Sequence, residues 1–521
     1  MGEAMKNERN ESYTVTGITH KGEGIVRMEG KVCFVPGALP GETVQVEKTL
    51  DKRKFSRGRL TKIIQPSPER RESVCPNYAE CGGCVWQHTT YEQQLLFKRE
   101  IIRQQLKRLA GIECEVREVL GMETPYHYRN KVVWHGAKKP DGSFKLGFFQ
   151  EGSHNAASME GCILPPPKML EIGKRIEEKA AEYGIKPGDE IILRQSNVDG
   201  SFLLAVKGNP DAAHIAELSV QFPELTSICR IEKGKTIPIV GEPYQLQRLA
   251  GCVFSVSAQS FFQTNFSQTE KLYQEVRKNL SGDEKKRVLD AYCGSGTISC
   301  MLAKEGHEVL GIESNPFAVA DAKRNAEKNG VSPTFLCAPC EEEMKKLHTH
   351  FDAVVIDPPR AGCFAGTLEA LLTIKPEKII YVSCEPSTLA RDVKILTAGG
   401  YEVSYVQPVD LFPWTGSLEV VVLLSKGEID SKKIRVEFPL DDMEITAFRE
   451  KATYPQIKEY VMEQTGLKVS SLYISQIKRK CGLDVGDSYN KPKSENAKVP
   501  QCPPEKEKAI MDALRHFGMI S

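Results

Sequence analysis

Arg287-Val288-Leu289-Asp290-Ala291-Tyr292-Cys293-Gly294-Ser295-Gly296-Thr297-Ile298-Ser299 reads as a strand, a glycine turn and the start of a helix. Such a turn lets a ligand approach the backbone closely, because glycine puts no Cβ in the way. A dinucleotide fingerprint would want a third glycine at position 299, where serine stands, so the glycine pair alone argues only weakly for a nicotinamide cofactor. Working outward, Glu308-Val309-Leu310-Gly311-Ile312-Glu313 is a second strand that ends in an acid. A carboxylate about twenty residues past the turn can accept both ribose hydroxyls of an adenosine group. A third strand, Phe351 to Ile356, runs into Asp357-Pro358-Pro359-Arg360, and a fourth, Ile379-Ile380-Tyr381-Val382-Ser383, hands over to Cys384-Glu385-Pro386-Ser387. Strands that alternate with helices in this way build a parallel sheet with its ligands at the carboxyl ends.

Together, D-x-x-x-G-x-G between two strands and the terminal acid of the second are the signature of an S-adenosylmethionine site on a Rossmann-like sheet. In Asp357-Pro358-Pro359 the prolines strip donors from the loop and stiffen it, leaving the carboxylate and carbonyls to face a substrate; the plainer reading is a strand-terminating turn. Amino-methyltransferases use a similar loop followed by an aromatic residue, but position 360 here is arginine. A cysteine at a strand end is a candidate nucleophile, although free cysteine is also among the most buried residue types. Glu419 opens the wholly apolar run Val420-Val421-Val422-Leu423-Leu424, which suits either a general base or the cap of a strand.

The chain of 521 residues exceeds one hydrophobic core, which implies a multidomain protein. Its first residues are polar and charged, and it contains no apolar run of membrane-spanning length, so the expected setting is the cytoplasm. There, 16 cysteines are reduced, metal-bound or catalytic. Residues 12–64 alternate short β-rich stretches with glycine and proline turns, as a small closed barrel of about five strands does. Around Gly22-Glu23-Gly24 and Val35-Pro36-Gly37 this stretch resembles a TRAM domain, an RNA-binding barrel of OB type. The net charge of +1 conceals a basic run on its last hairpin, with Lys48, Lys52, Arg53, Lys54, Arg57, Arg59 and Lys62 against Asp51 alone. Such a run suits backbone phosphates, and sparse aromatics there argue against base readout.

Directly after the barrel comes Cys75-Pro76-Asn77-Tyr78-Ala79-Glu80-Cys81-Gly82-Gly83-Cys84. Three thiols this close want a soft metal. The tight loop suits a 4Fe-4S cluster whose fourth thiolate arrives from elsewhere, Cys162 being the best candidate; zinc stays open on spacing alone. Tyr91 to Leu109 has helical periodicity, with Leu95, Leu96, Ile101, Ile102, Leu106 and Leu109 as its apolar face and a solvated basic face opposite. Residues 120–250 are mostly β in character, and Arg129 and Lys131, set among aromatics, suit either RNA contact or ordinary sheet surface. Beyond Lys426 a charged linker to Asp442 precedes helices at Tyr454–Gln464, Ser470–Lys480 and Glu505–Phe517. Lys478-Arg479-Lys480 reads as a nucleic-acid contact or as a solvated helix end.

These motifs, over residues 12 to about 426, resemble the bacterial RNA (uracil-C5)-methyltransferases, and most closely the 23S ribosomal RNA type with a TRAM domain and a 4Fe-4S cluster. The resemblance implies an α/β multidomain chain: a TRAM/OB-like barrel over 1–65, a central α+β domain with the cluster loop over 66–250, a Rossmann-like methyltransferase domain over 251–427, and a linker plus small helical module over 428–521. It implies that Gln263, Tyr292, Glu313 and Asp357 bind S-adenosyl-L-methionine, that Cys384 is the nucleophile and Glu419 the general base, and that Cys75, Cys81, Cys84 and Cys162 hold the cluster. It also implies a monomer acting on a 23S uridine of the 1939 type, with no membrane and no obligate protein partner. Many relatives carry histidine two positions before the glutamate, where this chain has Ser417. The competing readings are a transfer-RNA uridine-54 methyltransferase and an RNA-binding iron-sulfur protein without catalysis.

Overall fold

The computed structural model describes residues 11–426, 454–481, 502–516 and 519, apart from 140, 151, 154, 281, 283 and 466. The expected linker after Lys426 lies outside the described residues. The chain forms two compact units, Met1–Ile429 and Asp430–Ser521.

The first unit opens with a six-stranded barrel. Ser12–Thr14 pairs with Thr43–Asp51, and the next two-residue strand, Gly17–Ile18, pairs with Glu23–Met28. One bent segment therefore serves both edges and closes the sheet, which is why a five-strand reading meets six strands. The basic run falls on the hairpin Thr43–Asp51/Phe55–Gln65. Much of its charge is already engaged: Lys48 pairs with Glu29, Arg57 with Glu23 and Arg59 with Glu47.

Thr90 caps the helix Tyr91–Gln105 by accepting from Gln93 N, and a π-helical turn over Leu106–Ala110 continues it. Its orientation corrects the expected apolar face. Leu96 and Leu109 are 56% and 45% exposed, while Lys98, on the face expected to be solvated, is fully buried in an ion pair with Asp410 at 2.5 Å. The π-helical turn shifts the phase of the side chains, which brings Leu109 to the surface.

A seven-stranded central sheet runs in the order Lys235–Val240, Leu225–Glu232, Phe202–Lys207, Glu190–Gln195, Lys131–Lys138, Phe144–Phe149, Ala156–Ser158. Helix Pro167–Glu178 covers one face through Met169, Ile172 and Ile176. After the hairpin Tyr244–Leu249/Cys252–Ser257 comes a second seven-stranded sheet, in the order Thr334–Cys337, Glu308–Glu313, Arg287–Ala291, Ala353–Ile356, Lys378–Ser383, Glu419–Lys426, Tyr401–Val409. Its first five strands are parallel, and the last two run antiparallel to their neighbours. Strands buried on both faces read as continuous apolar runs, which is what Ala353–Ile356 and Val420–Leu424 show.

The second unit contains helices Tyr454–Thr465, Ser471–Lys480 and Pro504–His516 around Ile457, Val461, Ile474, Ile477, Ile510 and Leu514. Lys478 is buried, while Arg479 and Lys480 are exposed and Lys480 pairs with Glu507. Among the described residues no helix is long and apolar enough to cross a membrane.

Candidate active site

The strand order lays the candidate residues along one edge of the second seven-stranded sheet. Glu313 ends its strand, and Tyr292, Asp357 and Cys384 each directly follow theirs, at the carboxyl ends of four adjacent parallel strands. Glu419 begins an antiparallel strand in which Val420 pairs with Ser383, so the start of that strand meets the end of its parallel neighbour. Neighbouring strands lie about 4.8 Å apart, so the row runs in short steps from Glu313 at one end to Glu419 at the other.

At the Glu313 end, Tyr292, Gly294 and Gly296 all take left-handed backbone conformations, with φ of 64°, 53° and 77°. Gly294 N donates to Glu313 Oε2 at 3.2 Å, and the other carboxylate oxygen accepts from Asn315 N at 2.8 Å. The carboxylate is thus held facing the turn. Ser299, which replaces the third glycine of a dinucleotide site, donates its hydroxyl to the buried Asp290 at 2.5 Å. Burial pushes the Asp290 carboxyl up to about 7. The phenol of Tyr292 is 2.9 Å from Thr367 Oγ1. Gln263 stands apart from the row, in the segment leading into helix Phe266–Leu280, where its carbonyl accepts from Asn130 Nδ2 at 3.2 Å.

At the other end, burial pushes the Cys384 thiol up to about 12, and the Glu419 and Asp357 carboxylates add to the shift. Glu419 is 5% exposed, and burial, with Asp357 adding, raises its carboxyl well above the ordinary range. Burial alone pushes Asp357 up to about 7. Arg360 favours the charged forms of both Cys384 and Glu419. In the sequence alone this arginine stands out only because it replaces the aromatic residue of the amino-methyltransferase loop. It is held in place because Thr388 Oγ1 donates to its carbonyl at 3.1 Å and Arg391 Nη2 donates to Ala361 O at 3.0 Å.

Cys75, Cys81, Cys84 and Cys162 line one small cavity with Arg129, Tyr78 and Leu164. Arg129 therefore faces thiols, and its charge lowers the pKa of both Cys81 and Cys162 against the upward push of burial. Among the described residues no group of three or more His, Cys, Asp or Glu is disposed to hold a metal ion. This pocket is joined to the loop that precedes Glu419. Val85 N and Trp86 N both donate to Trp414 O, at 2.9 and 3.3 Å. The Trp414 ring stacks on Tyr126 at 5.5 Å, and Cys84 and Cys162 pack against the cluster of Tyr128, Leu164 and Trp414. At Gly416 a Cβ would lie 1.9 Å from His20 O, so the barrel closes on the same loop.

A Rossmann-like sheet with this glycine turn and terminal acid defines the class, the S-adenosylmethionine-dependent methyltransferases. The tRNA (uracil-5-)-methyltransferase family model matches residues 239–427, and the TRAM domain matches residues 14–61. An RNA methyltransferase of Halalkalibacterium halodurans is 35% identical over 441 residues, covering 79% of this chain and 96% of its own length. One of Listeria innocua is 37% identical over 454 residues, covering 81% and 98%. The solved tRNA (uracil-54, C5)-methyltransferase of Pyrococcus abyssi, in complex with S-adenosyl-L-homocysteine, superposes with a TM-score of 0.64 at 28% identity, covering 80% of this chain and 100% of that one. This chain belongs to the tRNA (uracil-5-)-methyltransferase family of RNA methyltransferases.

Proposed function

We propose that this enzyme transfers the methyl group of S-adenosyl-L-methionine to carbon 5 of a uridine in 23S ribosomal RNA, of the position-1939 type, through a covalent adduct with Cys384. The observation that carries the reading is the adjacency of Cys384 and Glu419 on neighbouring strands, at the edge where Tyr292 and Glu313 stand. Carbon 5 of uracil is a weak nucleophile. The Cys384 thiolate adds to carbon 6, forming an S–C bond and an enolate whose carbon 5 takes the methyl group, and S-adenosylhomocysteine leaves. The Glu419 carboxylate then removes the carbon-5 proton, the 5,6 double bond re-forms and the thiolate is expelled. Arg360 supplies the cation that favours the thiolate in a site otherwise lined by carboxylates.

Glu313 accepts the ribose hydroxyls of the donor, the Tyr292 turn lets its backbone approach, and Asp357 and Gln263 complete the donor site. The base must leave its stack to reach Cys384, so the target is a loop or a flipped nucleotide. The barrel over 1–65 and the central domain over 66–250 hold the RNA against the methyltransferase domain over 251–427; the segment 428–521 is an appended module. The enzyme is a cytoplasmic monomer.

Cys75, Cys81, Cys84 and Cys162, gathered around one cavity with the Arg129 cation beside them, would hold a 4Fe-4S cluster through four thiolates. Through it these cysteines would tie the loop Cys75–Cys84 to Cys162, a structural role, since methyl transfer has no redox step. The Val85 and Trp86 bonds to Trp414 extend that tie to the loop before Glu419.

A transfer-RNA target is the second reading. The Pyrococcus abyssi enzyme acts on tRNA, and its match covers 80% of this chain, more than the methyltransferase domain alone. A chain of this length therefore does not by itself separate the two substrates. Incubation with labelled donor and unmodified 23S RNA or transfer RNA tests both readings. Labelled 5-methyluridine in 23S RNA supports the first and in transfer RNA the second, and label in neither overturns the activity.

A further inference from the structure

Arg194 lies on the strand Glu190–Gln195 of the central sheet, directly opposite Lys131 on the neighbouring strand. Both project to the face formed by Val133, Ile192, Leu203, Ala205, Cys229 and Ile231, since side chains two residues apart share a face. The segment Ser257–Thr264, which carries Gln263, lies across this face: Ala258 joins its apolar cluster, and Gln259 Nε2 donates to Thr236 Oγ1 at 2.9 Å. Arg194 is completely buried, and its Nη2 donates to Ser260 O at 2.9 Å. Its Nε and Nη1 are buried with no partner, and so are Asn130 Oδ1 and Thr264 Oγ1 close by in the chain. Among the described residues neither Arg194 nor Lys131 has a carboxylate partner.

A buried guanidinium is ordinarily paired, and like charges facing each other across two strands are destabilising. Burial lowers the Arg194 pKa to about 10, and burial together with Arg194 lowers that of Lys131 to about 8, with no acid offsetting either. A pair arranged like this lacks its counter-ion in the free protein. We infer that Arg194 and Lys131 form an anion site closed by the Ser257–Thr264 segment, and that its ligand is a backbone phosphate of the substrate RNA next to the methylated nucleotide. Lys131 is half-buried at the rim and receives the phosphate first; Arg194 closes on it from behind once the Ser260 carbonyl yields. The site lies under the segment that bears Gln263, so RNA docking and the donor site are adjoined.

The inference rests on the RNA methyltransferase reading, and wild-type methyl transfer to RNA controls for that reading separately. The test is Arg194→Met and, in parallel, Lys131→Met in the full chain, with melting midpoint, affinity for unmodified 23S RNA and transfer RNA without donor over a range of salt, and donor affinity without RNA. Replacing an unpaired buried charge with an apolar side chain of similar size should leave the Arg194→Met midpoint unchanged or raise it. RNA affinity should fall roughly tenfold in either variant, with the salt slope shallower by about one, and donor affinity should be unchanged. A lower melting midpoint for Arg194→Met overturns the inference, since it means the guanidinium is already satisfied in the free protein. Unchanged RNA affinity and salt slope overturn it as well. So does a loss confined to donor affinity, which would make the anion the donor's carboxylate.

Discussion

A thiol pushed up to about 12 is almost wholly protonated at neutral pH, although the thiolate is the reactive form. Below the pKa the thiolate fraction rises tenfold for each unit by which the pH is raised, so kcat/KM for RNA is expected to climb from pH 6 to 9 with a slope near one on a logarithmic scale. Arg360→Leu removes the cation that offsets Glu419 and Asp357, and its rate at pH 8 is expected to drop by about tenfold for each unit the thiol rises, without loss of donor affinity. A flat profile would mean that another group sets the rate. Asp290 and Asp357 titrate near 7 when folded and near the ordinary carboxylate value when unfolded. The folded state then binds more protons between pH 4 and 7, so stability falls as pH rises through that window, by on the order of a few kcal/mol. Asp290→Asn is neutral at every pH, and its melting midpoint should decline less over the window than that of the wild type. The places of Glu313, Asp357 and Cys384 at strand ends, and of Glu419 at a strand start, were legible in the sequence because an apolar run meets a polar residue at each of them. Arg194 was not, since nothing local shows that a strand arginine will be covered by a segment more than sixty residues later.

At the scale of elements, the turn between the last two strands of the catalytic sheet links Val409 to Glu419, which face each other in register. Asp410 anchors its start by accepting from Lys98 Nζ at 2.5 Å and Tyr91 Oη at 2.7 Å, both from the helix Tyr91–Gln105. Lys98→Met leaves that carboxylate buried and unpaired, at a cost on the order of 3–5 kcal/mol, and a lowered melting midpoint is the expected readout. Methyl transfer should fall with it, because Glu419 loses the fixed start of its loop. The sequence shows this helix but not its rotation: periodicity counted Leu96 and Leu109 inward, and the helix instead turns Gln94 and Lys98 to a polar partner from Asp410. Strand order was equally hidden, since pairing between Lys378–Ser383 and Glu419–Lys426 skips the intervening strand.

At the scale of the whole chain, relatives match over 96–98% of their own length while covering 79–81% of this one. The unit Asp430–Ser521 builds its own core around Ile457, Ile474 and Ile510. A chain ending at Ile429 is therefore expected to fold and to methylate RNA, which a transfer assay on the truncated protein checks. The barrel was readable from turn spacing, and its closure by a bent first strand was not, because one segment pairs with two partners. The four cysteines could be grouped from the sequence only as three and a guess; their common cavity comes from packing the Cys75–Cys84 loop against the turn at Cys162. Attack of Cys384 on uracil can be trapped with RNA containing 5-fluorouridine, because fluorine at carbon 5 blocks the proton removal that would free the enzyme. Mass spectrometry of the denatured product is expected to find methylated fluorouracil joined to the peptide bearing Cys384 in the wild type, and no adduct in Cys384→Ala. An adduct that survives in Cys384→Ala, or 5-methyluridine made from ordinary RNA by that variant, would show that Cys384 is not the nucleophile.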